Sequence, residues 1–173
     1  MNDQRQPNAG WTLTNASDTS APGCDLVRQW LREHNGAVNP TFMEKLQQPE
    51  HASQPLILLT HADGETVGGL FAETQLSWLR ISIMAVHPDW RSKGIGSALL
   101  AEAERLALER GCKHAYVDTM EYQAPQFYLS HGFEIVGQIP DWDSHGHSKI
   151  YFSKKVQTQA LNPSSSSPTQ TAK

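Results

Sequence analysis

The chain has 173 residues and a mass of 19.2 kDa; 38% of its residues are hydrophobic, 18% are charged, and its formal net charge is −4. A chain of this length buries about 70% of the surface that its unfolded form exposes, so it needs no disulfide or metal ion to fold as one domain. No run of about 18 apolar residues is present, which excludes a membrane span, and the acidic balance argues against a nucleic-acid partner.

The expected compartment is the cytoplasm. Cys24 and Cys112 are too few for a disulfide framework, which fits a reducing environment. The opening residues are polar and lack the basic-then-apolar pattern of a secretory signal.

The apolar patterns predict alternating strands and helices. Strands are predicted over 11–17, 55–61, 67–75, 77–86, 114–120, 133–139 and 148–156. Helices are predicted over about 22–36, 40–48, 95–110 and 124–131. A turn at Asp63-Gly64 joins two of the strands into a hairpin. The order predicts a mixed α/β domain over 11–156, with disordered ends at 1–10 and 157–173, the second of which is rich in Ser, Thr, Gln and Pro.

Two elements in the middle of the chain have clear apolar faces. The strand over 77–86 is predicted to place Leu79, Ile81, Ile83 and Ala85 on one face, and Trp78, Arg80, Ser82 and Met84 on the other. The helix that follows is predicted to bury Ile95, Leu99, Ala103 and Leu106.

The segment between this strand and this helix, VHPDWRSKGIGS over 86–97, indicates a phosphate site. Gly94 and Gly96 leave room for a ligand near the backbone, and the helix presents unpaired N–H groups and a positive dipole end. Arg91 and Lys93 add positive charge beside it. The P-loop pattern is absent, and the third glycine of the dinucleotide fingerprint is replaced by Leu99.

Two motifs resemble those of the GCN5-related N-acetyltransferases. Residues 91–96, RSKGIG, match the family's Arg/Gln-x-x-Gly-x-Gly/Ala segment at the start of a long helix. Residues 124–133, APQFYLSHGF, match its Ala-x-x-Phe-Tyr-x-x-x-Gly-Phe helix. A helix and a strand lie between the motifs, as the family requires, and the resemblance covers about 11–156.

The resemblance implies a splayed mixed β-sheet of about six to seven strands flanked by about four helices. It also implies that acetyl-CoA is the co-substrate and that no metal is needed. The pantetheine arm would pair with the strand that ends at Val86, and the glycine segment would hold the diphosphate. The residues so implied to contact the coenzyme are Met84, Val86, Arg91, Ser92, Lys93, Gly94, Ile95, Gly96, Ser97 and Tyr128.

Tyr128 matches the family's tyrosine that protonates the departing thiolate. A phenol with a pKa of about 10 gives its proton to a thiolate whose thiol has a pKa of about 8.5 only if the local field is favourable, so a helping group is expected.

The group that deprotonates the amine is left open by the sequence. Where some relatives have Glu or His on the strand before the coenzyme site, this chain has Arg80, and Ser82 lies nearby. In one interpretation, a water chain ends on Asp118, Glu121 or Glu73. In another, Arg80 binds an anionic group of the acceptor; in a third, it is a solvated or ion-paired arginine.

The acceptor is expected to be a small-molecule amine. The resemblance places the loop over 140–147 beside the acceptor, where two aspartates and a tryptophan would suit a cationic amine. The candidate acceptor residues are Glu73, Trp78, Arg80, Asp141, Trp142 and Asp143. The alternatives are a peptide or protein N-acetyltransferase and a non-catalytic acyl-CoA sensor. Since relatives often pair through sheet edges, a homodimer is a further expectation.

Overall fold

The computed structural model describes residues 10–157 and divides into two compact units, one ending at Pro49 and the other beginning at Glu50. The predicted disordered ends, 1–10 and 157–173, lie almost wholly outside the described residues. No helix within the described part of the chain is both long and apolar enough to cross a membrane.

The first unit contains two helices, α1 (Cys24–Val38) and α2 (Pro40–Gln47). The strand predicted over 11–17 is wrong: residues 11–16 have no regular structure, because β-branched residues favour a strand only where a partner pairs with it. Helix α1 continues through the predicted stop at Asn35-Gly36. It ends before Asn39, which precedes a proline and is therefore disfavoured in the helical conformation.

The second unit is a six-stranded sheet with two helices. Its strands are β1 (Gln54–Ala62), β2 (Glu65–Gln75), β3 (Trp78–Val86), β4 (His114–Met120), β5 (Glu134–Ile139) and β6 (Lys149–Lys155). Their spatial order is β1-β2-β3-β4-β6-β5, and every pair is antiparallel except β3–β4. The helices are α3 (Ile95–Glu109) and α4 (Pro125–Ser130).

Helix α3 covers one face of the sheet and forms the core with it. Leu99, Leu100 and Ala103 of α3 are almost fully buried. They belong to one apolar cluster with the inward-facing residues of the strands, among them Leu79 and Phe152. Burial of this face holds the start of α3 beside the end of β3, where the candidate site lies.

A β-bulge interrupts β3 at Ser82. Phe71 of β2 pairs with Ile83, whereas the next residue, Ala72, pairs with Ile81, so Ser82 is the extra residue. The Ser82 hydroxyl donates a hydrogen bond to the Phe71 carbonyl over 3.0 Å.

The bulge reverses which residues of β3 face the core, because one extra residue shifts a strand's two-residue alternation. Met84, beyond the bulge, packs against the same core as Ile81, and Ile83 and Ala85 turn to the other face. The predicted assignment of faces is therefore wrong for the last part of β3, and Met84 lies on the side of α3.

Strands β3 and β4 separate after four paired residues. Their parallel register runs from Trp78 opposite His114 to Ile81 opposite Val117. Within the described residues, β3 from Ser82 onward is paired only with β2. One edge of β3 thus keeps backbone groups that no neighbouring strand satisfies.

A nearly buried ion pair joins α3 to β6 and gives a test of the packing. The Lys154 ammonium lies 2.7 and 2.8 Å from the two Glu104 carboxylate oxygens, and the side chains are 18% and 11% exposed. Lys154→Met leaves the buried Glu104 carboxylate without its partner. We therefore expect urea unfolding to show that the free energy of unfolding falls by about 3 kcal/mol. Adding Glu104→Leu should restore most of the loss. If Lys154→Met alone leaves the free energy of unfolding unchanged, the Glu104–Lys154 pair is exposed to water and does not stabilise the packing of α3 on β6.

Candidate active site

A cavity of about 820 Å³ lies in the gap where β3 and β4 separate. Its walls are the unpaired edge of β3, the end of β4, the turn after β3, the first turn of α3, and α4. The cavity therefore joins three features that are chemically useful: an open strand edge, a helix N-terminus and a set of aromatic side chains.

The start of α3 is shaped to receive an anion. Gly94, which precedes the helix, has φ +83° in the left-handed region, and no side chain of the cap accepts a hydrogen bond from the helix N–H groups. A 15-residue helix carries partial positive charge at this end. A Cβ on Gly96 would lie 3.3 Å from the Phe127 ring, so glycine lets α3 pack closely on α4. These features fit the diphosphate of the coenzyme that the resemblance implies.

Nearly all the residues predicted to contact the coenzyme line this cavity. The lining residues among them are Met84, Val86, Arg91, Ser92, Gly94, Ile95, Gly96, Ser97 and Tyr128. Lys93 is the exception, and its ammonium lies over the Trp90 ring, 4.3 Å from the centroid. The predicted residues therefore form one continuous surface in the structure. Their contacts with the coenzyme stay predictions.

Arg91 fixes the turn that leads from β3 to α3. Its Nε donates to the Val86 carbonyl over 3.1 Å. The following residue, Ser92, also has a positive φ of 59°. The chain therefore bends sharply, and successive N–H groups can point toward the cavity, an arrangement that binds anions elsewhere.

Tyr128 lies at the inner wall of the cavity and is 5% exposed. Its ring packs against the rings of Phe127, Phe133 and Phe152. Burial first, and the negative charge of Asp118 second, raise the pKa of Tyr128 to about 12. Burial and the Asp118 charge therefore hold the proton on the phenol. The sequence, by contrast, leads us to expect surroundings that help the phenol to release its proton.

Asp118 also lines the cavity, and its carboxylate already has two partners. One oxygen is 2.8 Å from the Lys149 ammonium, and the other accepts a hydrogen bond from the Tyr116 hydroxyl over 3.3 Å. Burial and this carboxylate raise the pKa of Tyr116. Of the carboxylates predicted to serve the amine, Glu121 and Glu73 do not line the cavity, which leaves Asp118 as the one in contact with it.

Arg80 forms an ion pair with Glu73 across neighbouring strands. The nearest nitrogen and oxygen are 3.5 Å apart, and Glu73 also accepts a hydrogen bond from the Ser53 hydroxyl over 2.7 Å. Trp78, on the same strand as Arg80, stacks on His114 with ring centroids 4.8 Å apart. Of the interpretations that the sequence leaves open, an ion-paired arginine is the one that this geometry shows.

The loop over 140–147 is closed by its own aspartates. Asp141 accepts from the N–H of Gly146 over 2.8 Å, and Asp143 accepts from the N–H of His145 over 2.9 Å. Burial raises the pKa of Asp143, but hydrogen bonds from the His145 backbone and from His147 outweigh it, and the net pKa lies below its usual value. These carboxylates shape the loop and do not line the cavity.

Trp142, the third predicted acceptor residue of this loop, contacts a cation of the protein itself. The Lys149 ammonium lies 4.5 Å from the centroid of its ring. Lys149 therefore connects the loop to Asp118 of the cavity wall. None of the six predicted acceptor residues lines the cavity.

Sequence reasoning missed several cavity residues at the end of β4. Gln123 lines the cavity, and its side-chain oxygen accepts hydrogen bonds from the Thr119 hydroxyl over 2.8 Å and the Met120 N–H over 2.9 Å. Tyr122 lines the cavity as well. These residues precede the second motif, and nothing in their own spacing indicates a ligand.

Comparison with known proteins identifies the family. A model of the acetyltransferase (GNAT) domain matches residues 54–135. The blasticidin-S acetyltransferase of Streptomyces morookaense is 34% identical over 117 residues, which are 65% of this chain and 86% of that relative. The chain belongs to the GNAT family of acetyltransferases. A second GNAT relative, an acetyltransferase of Agrobacterium fabrum, is 35% identical over 99 residues, 57% of this chain and 72% of that one.

The GNAT fold is also found in a solved structure. A crystal structure of an acetyltransferase from Bacillus cereus superposes with a TM-score of 0.66 at 25% identity, covering 84% of this chain and 97% of that one. The predicted fold and N-acetyltransferase activity are thereby confirmed. Both motifs that carried the resemblance, 91–96 and 124–133, lie within the matched residues.

Proposed function

We propose that this GNAT enzyme uses acetyl-CoA to acetylate the primary amine of a small molecule. The observation that carries the proposal is the 820 Å³ cavity, in which an unpaired strand edge, an uncapped helix N-terminus and a buried tyrosine meet. A coenzyme with an amide-bearing arm, a diphosphate and a thioester presents groups that match the strand edge, the helix N-terminus and the tyrosine respectively.

The protein groups that would hold the coenzyme follow from this geometry. The first N–H groups of α3, with Ser97 and the turn at Arg91 and Ser92, would bind the diphosphate. The free edge of β3 beyond the bulge would pair with the amides of the pantetheine arm, as an added strand does.

Acetyl-CoA supplies an activated acetyl group. The amine nitrogen of the acceptor bonds to the acetyl carbon, the carbon–sulfur bond breaks, and the sulfur leaves as a thiolate. Full transfer of the Tyr128 proton, from a phenol with a pKa of about 12 to a thiolate whose thiol has a pKa of about 8.5, is uphill by about 5 kcal/mol. Tyr128 therefore donates a hydrogen bond to the thiolate, and the acceptor nitrogen releases the proton that ends on sulfur.

The amine must be uncharged when it attacks the acetyl carbon. An alkyl ammonium with a pKa of about 10.4 is neutral about once in a few thousand molecules at pH 7, a cost of about 5 kcal/mol. Asp118, which lines the cavity and is paired with Lys149 over 2.8 Å, is the carboxylate placed to accept the proton through water.

The relatives support a small acceptor. The Streptomyces morookaense relative, which is aligned over 86% of its length, is a blasticidin-S acetyltransferase, and this supports a small-molecule acceptor here. The open wall of the cavity at the end of β4 is formed by Asp118, Tyr122 and Gln123, which suits a polar acceptor.

The test measures thiol release from acetyl-CoA with a panel of amines. Blasticidin S, aminoglycosides and simple polyamines represent small acceptors, and peptides with free N-termini or lysines represent the alternative. We expect turnover with at least one small amine and much slower release with peptides. Faster turnover of peptides would overturn the acceptor class. Tight binding of acetyl-CoA without turnover on any acceptor would favour a sensor.

A further inference from the structure

His131 links the end of α4 to the first turn of α3. Its Nδ1 lies 2.7 Å from the Phe127 carbonyl oxygen, and its Nε2 lies 2.9 Å from the Ser97 hydroxyl. Ser97 lines the 820 Å³ cavity, but His131 does not. The imidazole therefore contacts the proposed diphosphate site from behind, through one hydroxyl.

The partners of His131 fix where its hydrogen atoms lie. A carbonyl oxygen only accepts, so Nδ1 carries the hydrogen that points at Phe127. A neutral imidazole has one ring hydrogen, which makes Nε2 an acceptor, and the Ser97 hydroxyl must then donate to it. In this state Ser97 turns its lone pairs, and not its hydrogen, toward an anion in the cavity.

Protonation reverses the direction of this hydrogen bond. An imidazolium has hydrogens on both nitrogens, so Nε2 donates to the Ser97 oxygen. The Ser97 hydrogen is released and can be donated to a phosphate oxygen, which makes a strong charge-assisted hydrogen bond.

We propose that His131 is a positioning residue whose protonation turns the Ser97 hydroxyl toward the diphosphate, so that coenzyme binding takes up a proton. The inference rests on the proposed function, since it needs acetyl-CoA in this cavity. Affinity should rise as the pH falls through the range in which histidines titrate, by at most tenfold per pH unit. It should level off once the free protein is already protonated.

The other polar groups around His131 are paired with each other or do not ionise. A cavity of about 220 Å³ beside it is lined by Ser97, Ser130, Glu104 and Lys154, together with apolar residues of α3. Glu104 and Lys154 are bonded to each other over 2.7 Å, so their charges largely cancel at His131. The Ser130 hydroxyl donates to the Phe127 carbonyl over 2.8 Å, lies 3.2 Å from His131 Nδ1, and does not titrate.

The test uses dephospho-acetyl-CoA, which keeps the diphosphate but lacks the 3′-phosphate. That phosphate is a monoester whose second pKa is about 6, and its own titration would hide the effect. Calorimetric titrations at several pH values between 6 and 8, each in two buffers of different ionisation enthalpy, give the number of protons taken up. We expect uptake of a substantial fraction of one proton at one or more of these pH values.

Three variants separate the proposal from its rivals. His131→Gln keeps the side-chain size, removes the titrating group and should abolish the uptake. Ser97→Ala leaves His131 in place and should reduce the uptake by more than half, because the hydroxyl transmits the effect. His114→Gln, which removes a histidine that stacks on Trp78 and does not line the cavity, should retain the wild-type uptake.

The outcomes distinguish the two proposals. Normal binding without proton uptake, or undiminished uptake in His131→Gln, would overturn the role of His131 while the proposed function stands. Undiminished uptake in Ser97→Ala would mean that the imidazolium acts by charge alone and that the hydroxyl relay is wrong. If the folded wild-type protein binds neither acetyl-CoA nor its dephospho form, the proposed function fails and the inference fails with it.

Discussion

Tyr128→Phe is expected to lower kcat by about a hundredfold to a thousandfold while acetyl-CoA affinity changes less than about threefold. The substitution removes only the hydroxyl, and the remaining ring keeps its contacts with Phe127, Phe133 and Phe152, so the protein should fold normally. The hydroxyl acts on the sulfur as negative charge develops there, which is why the loss should fall on turnover and not on coenzyme binding.

The measurement combines steady-state kinetics with calorimetric binding of acetyl-CoA. Tyr151→Phe is the matched control, because Tyr151 is a partly buried tyrosine outside the cavity lining, stacked near Tyr116. Equal kcat in wild type and Tyr128→Phe would show that another group serves the sulfur. A parallel loss of affinity would show that Tyr128 binds the ground state instead.

The pH dependence gives a second check on Tyr128. Its folded-state pKa of about 12 means that the acid form persists at every pH below that value. Activity that needs the protonated phenol is therefore present below pH 12 and lost only above it. We expect kcat to rise with pH as the amine loses its proton and to show no fall from Tyr128 ionisation below about pH 10.

The cavity wall at the turn after β3 and the start of α3 could be predicted from the sequence because it depends on local rules. Gly94 takes a left-handed φ that favours glycine, and Gly96 allows α3 to approach Phe127 closely. Each requirement belongs to one short segment, so a spacing of residues is enough to reveal it.

The partners of the candidate acceptor and base residues could not be predicted in the same way, because they depend on contacts between distant segments. The Asp118 carboxylate looked available in the sequence, yet Lys149 and Tyr116 occupy it from other positions. Arg80 looked like a candidate for an anionic ligand, and cross-strand pairing places Glu73 beside it. The partners of a charge follow from strand register, which residue spacing does not encode.

The prediction of which β3 residues face the core was wrong for a related reason. Strict alternation would leave Met84 away from the core, but the extra residue at Ser82 reverses the pattern. No residue type marks this bulge, since serine fits any strand position on a polar face. The bulge lies beside the candidate site, because β3 from Ser82 to Val86 lines the cavity.

Gly94→Val is expected to weaken acetyl-CoA binding by about a hundredfold or more. At φ +83° and ψ −3°, a β-branched residue is strained by about 2 kcal/mol, and the chain relieves the strain by leaving the left-handed region. No protein atom lies within 4 Å of the added Cβ, so the effect does not come from a clash within the protein. It comes from the loss of the bend that aims the first N–H groups of α3 at the diphosphate.

Gly111→Val separates this effect from general destabilisation. Gly111 has the same φ of +83° just beyond the other end of α3, and it too has no atom within 4 Å of an added Cβ. Both variants should lower the free energy of unfolding by similar amounts, and only Gly94→Val should lose affinity in calorimetric titration. If both variants bind acetyl-CoA as tightly as the wild-type protein does, the first turn of α3 does not hold the diphosphate. If both lose affinity equally, the loss reflects weakened helix packing, because Gly111 lies at the end of α3 remote from the cavity.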